Sequence, residues 1–135
     1  MPPEDAINAL VTRYAEIVDA RTFGDLEEVF TTDAVLDTGR GRREGVDEIR
    51  TAMVGLHRYD ETRHVVGVVR LDDVAGEQAR GTVECIAHHW FTAHGRRLDR
   101  QMTITYHDRY ITTDAGWRID ARRLEIHATV EMSAD

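Results

Sequence analysis

The stretch Ala79-Arg80-Gly81-Thr82-Val83-Glu84-Cys85-Ile86-Ala87-His88-His89-Trp90-Phe91-Thr92-Ala93 decides the fold class. Side chains of two characters alternate along it, the mark of a long strand with two unlike faces. Val83, Cys85, Ala87, His89 and Phe91 form a small, mostly apolar row suited to a concave interior. Glu84, Ile86, His88 and Trp90 form the other row, which reads as the outer face and a place for subunit contact. Downstream, residues 97–112 and 117–130 read as strands of the same kind, and upstream so does 63–71. The breaks between them carry turn formers: Asp72-Asp73, Ala75-Gly76, His94-Gly95 and Asp114-Ala115-Gly116. Long strands joined by short turns make an antiparallel meander, and strands of this length must curve strongly.

Further upstream the period changes from two to that of a helix. Residues 6–21 place Ile7, Leu10, Val11, Tyr14, Ala15 and Val18 on one stripe, with Pro2 and Pro3 just ahead, where proline is tolerated. Thr22-Phe23-Gly24 breaks this helix. A short second helix is expected over 25–30 with Asp25 placed to cap it, a strand over 34–37, a loop over 38–41, and a third helix over 45–56 with Val46, Ile49, Met53 and Leu56 on one face. Three helices followed by an antiparallel sheet predict an α+β domain of two layers, and the space between helices and curved sheet is the expected ligand site.

The chain has 135 residues, which suits one domain spanning 1–135. An apolar content of 41% supports a packed core. No apolar run approaches the roughly 20 residues of a membrane span, and the acidic start Met1-Pro2-Pro3-Glu4-Asp5 lacks the apolar region of a secretory signal, so a soluble cytoplasmic protein is expected. The net charge of -8 argues against nucleic acid as a partner, and the basic run Arg40-Gly41-Arg42-Arg43 reads as a solvated loop. All 17 basic residues are arginine, which removes Schiff-base and lysine-base chemistry. Cys85 is the single cysteine, so neither an intrachain disulfide nor a thiolate cluster is expected. The seven histidines lack zinc-ligand spacing, and there is no Gly-x-Gly-x-x-Gly, P-loop or Gly-x-Ser-x-Gly motif; the expectation is no metal and no cofactor.

Several residues stand out chemically, each with a plainer alternative. Asp19 lies at the edge of the first helix's apolar stripe, as a desolvated carboxylate or a surface aspartate capping the next turn. His64, within Thr62-Arg63-His64-Val65-Val66-Gly67, shares a strand face with Val66 and Val68, as a base or a core histidine. His89 points inward and His88 outward, so only His89 is a cavity candidate. Tyr14 faces the core as an oxyanion donor or an ordinary buried phenol. Asp37 is a base at the cavity mouth or a turn residue. Cys85, Phe91 and Met102, with Asp37, are candidate substrate contacts.

Arg13-Tyr14-Ala15-Glu16-Ile17-Val18-Asp19, then Asp25-Leu26, then Val35-Leu36-Asp37, resembles the opening of SnoaL-like and ketosteroid-isomerase-like proteins. The segment Tyr110-Ile111-Thr112-Thr113-Asp114-Ala115-Gly116-Trp117-Arg118-Ile119 is similar to the last hairpin of that nuclear-transport-factor-2-like superfamily. The resemblance implies a cone-shaped roll, with the helices packed on a mixed, mainly antiparallel sheet. Within it, Asp19, Thr62-Arg63-His64 and Gly81 followed by His89 resemble the scytalone dehydratase subset, and Tyr14 five residues before Asp19 resembles a bile-acid dehydratase. This implies a cofactor-free lyase in which Asp19 orients the base His64, Tyr14 donates and His89 assists, on a small apolar, polyketide- or steroid-like molecule. Tyr14 and Asp37 also look like the oxyanion donor and base of a ketosteroid isomerase, but Thr103 stands where the second donor, a neutral aspartate, belongs. A non-catalytic binding or dimerisation module is the third possibility. The superfamily further implies a homodimer through the outer sheet face.

Overall fold

The computed structural model describes residues 2–135. Helix α1 spans Pro3–Ala20, with Glu4 and Asp5 at its positive end. Its buried stripe is the expected one plus Ile17. The chain leaves α1 through Arg21, which adopts the left-handed conformation at φ 60°. The Arg21 guanidinium then donates to the Leu56 carbonyl at 3.2 Å and the Tyr59 carbonyl at 2.6 Å. That clamp ties the helix end to the chain that enters the sheet.

Strand β1 is Phe30–Asp37, β2 is Arg42–Glu44, and α2 is Val46–Met53. Four long strands follow: β3 Glu61–Ala75, β4 Gln78–Ala93, β5 Arg96–Thr113 and β6 Gly116–Ser133. They build one six-stranded sheet in the order β2-β1-β6-β5-β4-β3. All pairings are antiparallel except β1 with β6, which is parallel. Irregularities curl the sheet at Val66/Val69 and Leu71/Asp73 in β3 and at Thr103/Ile104 and Arg109/Tyr110 between β5 and β6. The helices cover the concave side, and the core lies between them.

Four expectations need correction. The segment read as a second α-helix is a 3-10 turn over Phe23–Glu28 without a side-chain cap, so Asp25 caps nothing. The third helix ends at Met53 and continues as a 3-10 turn, Val54–Arg58, because Gly55 interrupts the α pattern. The Arg40–Arg43 run is exposed as expected, but its second half is an edge strand paired with β1. Val68 does not share the face of His64. The extra residue between Val66 and Val69 switches the alternation, turning Val69 inward and leaving Val68 54% exposed. Among the described residues no helix is long and apolar enough to cross a membrane.

Gly81 marks the tightest approach in the sheet. A Cβ there would overlap the Arg70 carbonyl oxygen and press on Leu71 Cδ2. Backbone cannot yield as a side chain does, so Gly81→Ala is expected to cost roughly 2–4 kcal/mol, read as a lower urea midpoint with an unchanged slope.

Candidate acid–base site

Strand β3 is a sheet edge, and its outward N–H groups need partners. Asp19, next to last in α1, supplies one. Its Oδ2 accepts the His64 backbone N–H at 2.8 Å. Its Oδ1 accepts the Thr62 hydroxyl at 3.1 Å and lies 2.7 Å from His64 Nδ1. A carboxylate only accepts, so Nδ1 carries a proton, and in the neutral ring the free lone pair is on Nε2. The His64 side chain is 9% exposed and that of Asp19 23%. Burial raises the Asp19 pKa, but the hydrogen bonds from the His64 ring and backbone, the His64 charge and the Thr62 hydroxyl outweigh it, and the net shift is downward. The carboxylate therefore stays ionised beside the imidazole.

His89 lies on the same face, opposite Thr62 in the register. The two imidazole centroids are 6.0 Å apart. His89 Nδ1 sits 2.9 Å from the Arg100 carbonyl oxygen, also a pure acceptor, so this ring too is protonated at Nδ1 and free at Nε2. Burial keeps its pKa below the ordinary value and holds the ring neutral. Tyr59 packs on it at 4.8 Å between centroids. The two imidazoles thus present their Nε2 atoms from adjacent strands.

Below them lies a buried cation. Arg122 is 1% exposed and meets Asp108 through two parallel bonds, Nε to Oδ1 and Nη2 to Oδ2, both 2.8 Å. Tyr110 donates its hydroxyl to the same Asp108 Oδ2 at 2.6 Å. The guanidinium carbon stands 4.5 Å from the Tyr14 ring centroid and 3.9 Å from that of Tyr106. Nη1 of Arg122 has no partner. A donor buried without a partner is costly. Burial pushes the Tyr14 phenol up against the opposing pull of Arg122, so Tyr14 remains a donor. Burial also pushes up the Cys85 thiol, which receives the Tyr106 hydroxyl at 3.8 Å and is no nucleophile.

The structure brings Asp19, His64 and His89 together and sets Tyr14 beside Arg122. Met102 shares a row with His64 and Ala87, Cys85 lies opposite Val66, and Phe91 flanks Tyr59. Asp37 is not part of this group. Leu36 is buried inward, so its neighbour Asp37 points to the other face, where Oδ1 accepts the Gly39 N–H at 2.9 Å. The turn alternative holds for Asp37, and its roles as base and substrate contact are withdrawn. The sequence reading missed Arg122, Asp108 and Tyr59. A signal existed for the first two: Asp108 lies between Tyr106 and Tyr110 on an inward row, and a carboxylate there requires a buried partner. Counting across the Asp114-Ala115-Gly116 turn reaches Ala121, and the register shift between Arg109 and Tyr110 moves the partner on to Arg122. Among the described residues no group of three or more His, Cys, Asp or Glu could hold a metal ion.

Residues 2–123 match the SnoaL-like domain family, and the chain belongs to it, within the nuclear-transport-factor-2-like superfamily. The uncharacterised protein Rv2910c of Mycobacterium tuberculosis is 31% identical over 130 residues, covering 88% of this chain and 81% of its own. A Novosphingobium aromaticivorans protein provisionally named scytalone dehydratase superposes with a TM-score of 0.84 at 19% identity, over 98% of this chain and 89% of its own. Hexachlorocyclohexane dehydrochlorinase LinA-type3 of Novosphingobium barchaimii superposes with a TM-score of 0.84 at 18% identity, over 98% and 91%. At these identities the two structures share the fold.

Two measurements check this geometry. Asp108→Ala is expected to destabilise the protein by about 3–5 kcal/mol, because it strands the Arg122 charge; the double change Asp108→Leu, Arg122→Met should recover most of that in urea unfolding. For His89, nitrogen-15 spectra should show the Nδ1–H tautomer and a titration midpoint below about 6.5. Unfolded His89 takes up its proton near that value and folded His89 only at lower pH. This residue therefore withdraws stability as pH falls through that window, and His89→Gln should flatten that part of the pH–stability curve.

Proposed function

We propose that this SnoaL-like protein is a cofactor-free lyase that eliminates a small leaving group from a small apolar cyclic substrate, with His64 as its base. The observation that carries this is the 2.7 Å contact of His64 Nδ1 with Asp19, which in the neutral ring makes Nε2 the basic nitrogen. Nε2 takes a proton from a carbon next to a carbonyl or activated ring, and the C–H electron pair becomes a C=C bond. The group on the neighbouring carbon departs with its bonding pair. A hydroxyl leaves as water, protonated by Tyr14 or by the imidazolium just formed. Asp19 stabilises that imidazolium by charge and by holding Nδ1–H, as a carboxylate does in a triad. His89 lacks a proton on Nε2, so its assistance is to accept a hydrogen bond from a substrate hydroxyl and so orient the substrate. Arg122 Nη1 is the donor for developing negative charge. The named chemistry of a dehydratase and a dehydrochlorinase among the structural neighbours, both eliminations, supports the class.

Self-association belongs to the same reading. The convex face exposes Val65, Ile86, Val130 and Met132 around the half-buried Trp90. Beside this strip a row of Arg70, Thr82, His107 and Arg123 adjoins Glu84 and Glu125. A second copy turned about a two-fold axis would set opposite charges against each other. Ile86→Glu should lower the mass measured by light scattering if the wild type is a dimer; a monomeric wild type rules this contact out.

Elimination is tested on a panel of cyclic β-hydroxy ketones and hexachlorocyclohexane. With a substrate in hand, His64→Ala should abolish turnover while keeping the wild-type melting temperature. Asp19→Asn should lower kcat by roughly 100-fold or more, the scale of an oriented acid–base group. Retained turnover in His64→Ala sinks the assignment of His64 as the base, whereas a wild type that turns over no member of the panel points to a binding role.

A further inference from the structure

Beyond the two imidazoles, the concave face carries a charged pair that the elimination does not use. The register sets Thr62, His89, Arg100 and Glu131 side by side in one inward row. The Arg100 guanidinium lies on an aromatic ledge, 5.2 Å from the Phe91 centroid and 5.8 Å from that of Tyr59. Its Nη1 donates to the Tyr59 hydroxyl at 2.9 Å. Tyr59 is the ring that packs on His89, so this cation stands one aromatic ring away from the second imidazole. Around it the same face offers apolar side chains from Leu98, Met102 and Ile126, the last 40% exposed.

The counter-charge of Arg100 is Glu131, near the end of β6. Its hold is imperfect. Arg100 Nε and Nη2 both donate to the single oxygen Oε1, at 3.2 and 2.7 Å. The stronger arrangement is the parallel fork, with one guanidinium N–H on each carboxylate oxygen, as Arg122 and Asp108 make it. Side-chain exposures of 33% for Arg100 and 45% for Glu131 put the pair in the range where ion pairs contribute little. Exchanging Glu131 for a better-aligned carboxylate would therefore lose little and gain a second hydrogen-bonded oxygen.

We propose that Arg100 is an anion subsite of the same pocket, held by Glu131 as an internal stand-in, and that the substrate is a flat apolar molecule carrying a carboxylate remote from the carbon that His64 deprotonates. The proposal rests on the reading of His64 and His89 as a ligand site. It makes Tyr59 and Phe91 the wall along which the apolar body lies, and Arg100 the residue that fixes which end enters first.

The test uses calorimetric titration of the full chain, as wild type, Glu131→Gln and Arg100→Gln, with 2-naphthoate and its neutral counterpart 2-naphthylmethanol. Glu131→Gln should bind 2-naphthoate about tenfold more tightly than wild type, the scale of one charge-assisted hydrogen bond, with the alcohol unchanged. Arg100→Gln should erase the preference for the acid. If the alcohol binds all three proteins and the acid gains nothing in Glu131→Gln, the anion subsite is overturned and the pocket stands. If neither probe binds any of the three while melting temperatures match wild type, the pocket itself is refuted, and the subsite with it.

Discussion

The fold and the chemistry meet in one carboxylate. Asp19 stands where the end of a helix passes the open edge of a sheet, and its two oxygens take three donors from Thr62 and His64. The backbone N–H it accepts would otherwise face an apolar layer unpaired, at a cost comparable to a lost hydrogen bond. The same oxygens select the His64 tautomer. The seat of α1 on β3 and the orientation of the imidazole are therefore set by one contact. Arg21 secures it from the other side by holding the chain that leads into β3.

The buried Arg122–Asp108 pair poses the opposite problem. Removing two charges from water costs several kcal/mol per ion, and only good geometry with further hydrogen bonds offsets it. Here the parallel bonds, the Tyr110 hydroxyl and the faces of Tyr14 and Tyr106 supply that geometry. An apolar pair would fill the space at lower cost. The ion pair instead fixes one guanidinium geometry between the Tyr14 and Tyr106 rings, its charge balanced by Asp108.

Much of this was legible in the residues because the patterns are local. Period-two alternation located β4, and the residues before Asp19 placed it at the end of an apolar stripe. The pairing of Asp19 with His64 came from family resemblance, because nothing local says that the end of α1 meets the start of β3. The misreadings share a cause. The strand β2 and the inward switch at Val69 depend on a tertiary contact and on a bulge, neither of which has a strong local signature. For Asp37 the base and turn readings both stood open, and its place next to the buried Leu36 decides for the turn. Arg122 was missed because a buried guanidinium looks, in sequence, like any surface arginine.

The parallel pairing of β1 with β6 carries a consequence for how the molecule is made. Phe30 lies against Ile119, so the first strand of the sheet waits for the sixth to be synthesised. At a ribosome adding about 5–20 residues per second, that wait lasts several seconds, during which β1 and the apolar stripe of α1 lack their permanent partners. The meander of β3, β4 and β5 can zip by near-neighbour turns in the meantime, but closure of the cone is a long-range event with a large loop entropy to overcome. Closure of the cone accordingly waits for β6 to be made. Chaperone dependence should concentrate in α1 and β1, which expose their hydrophobic faces longest.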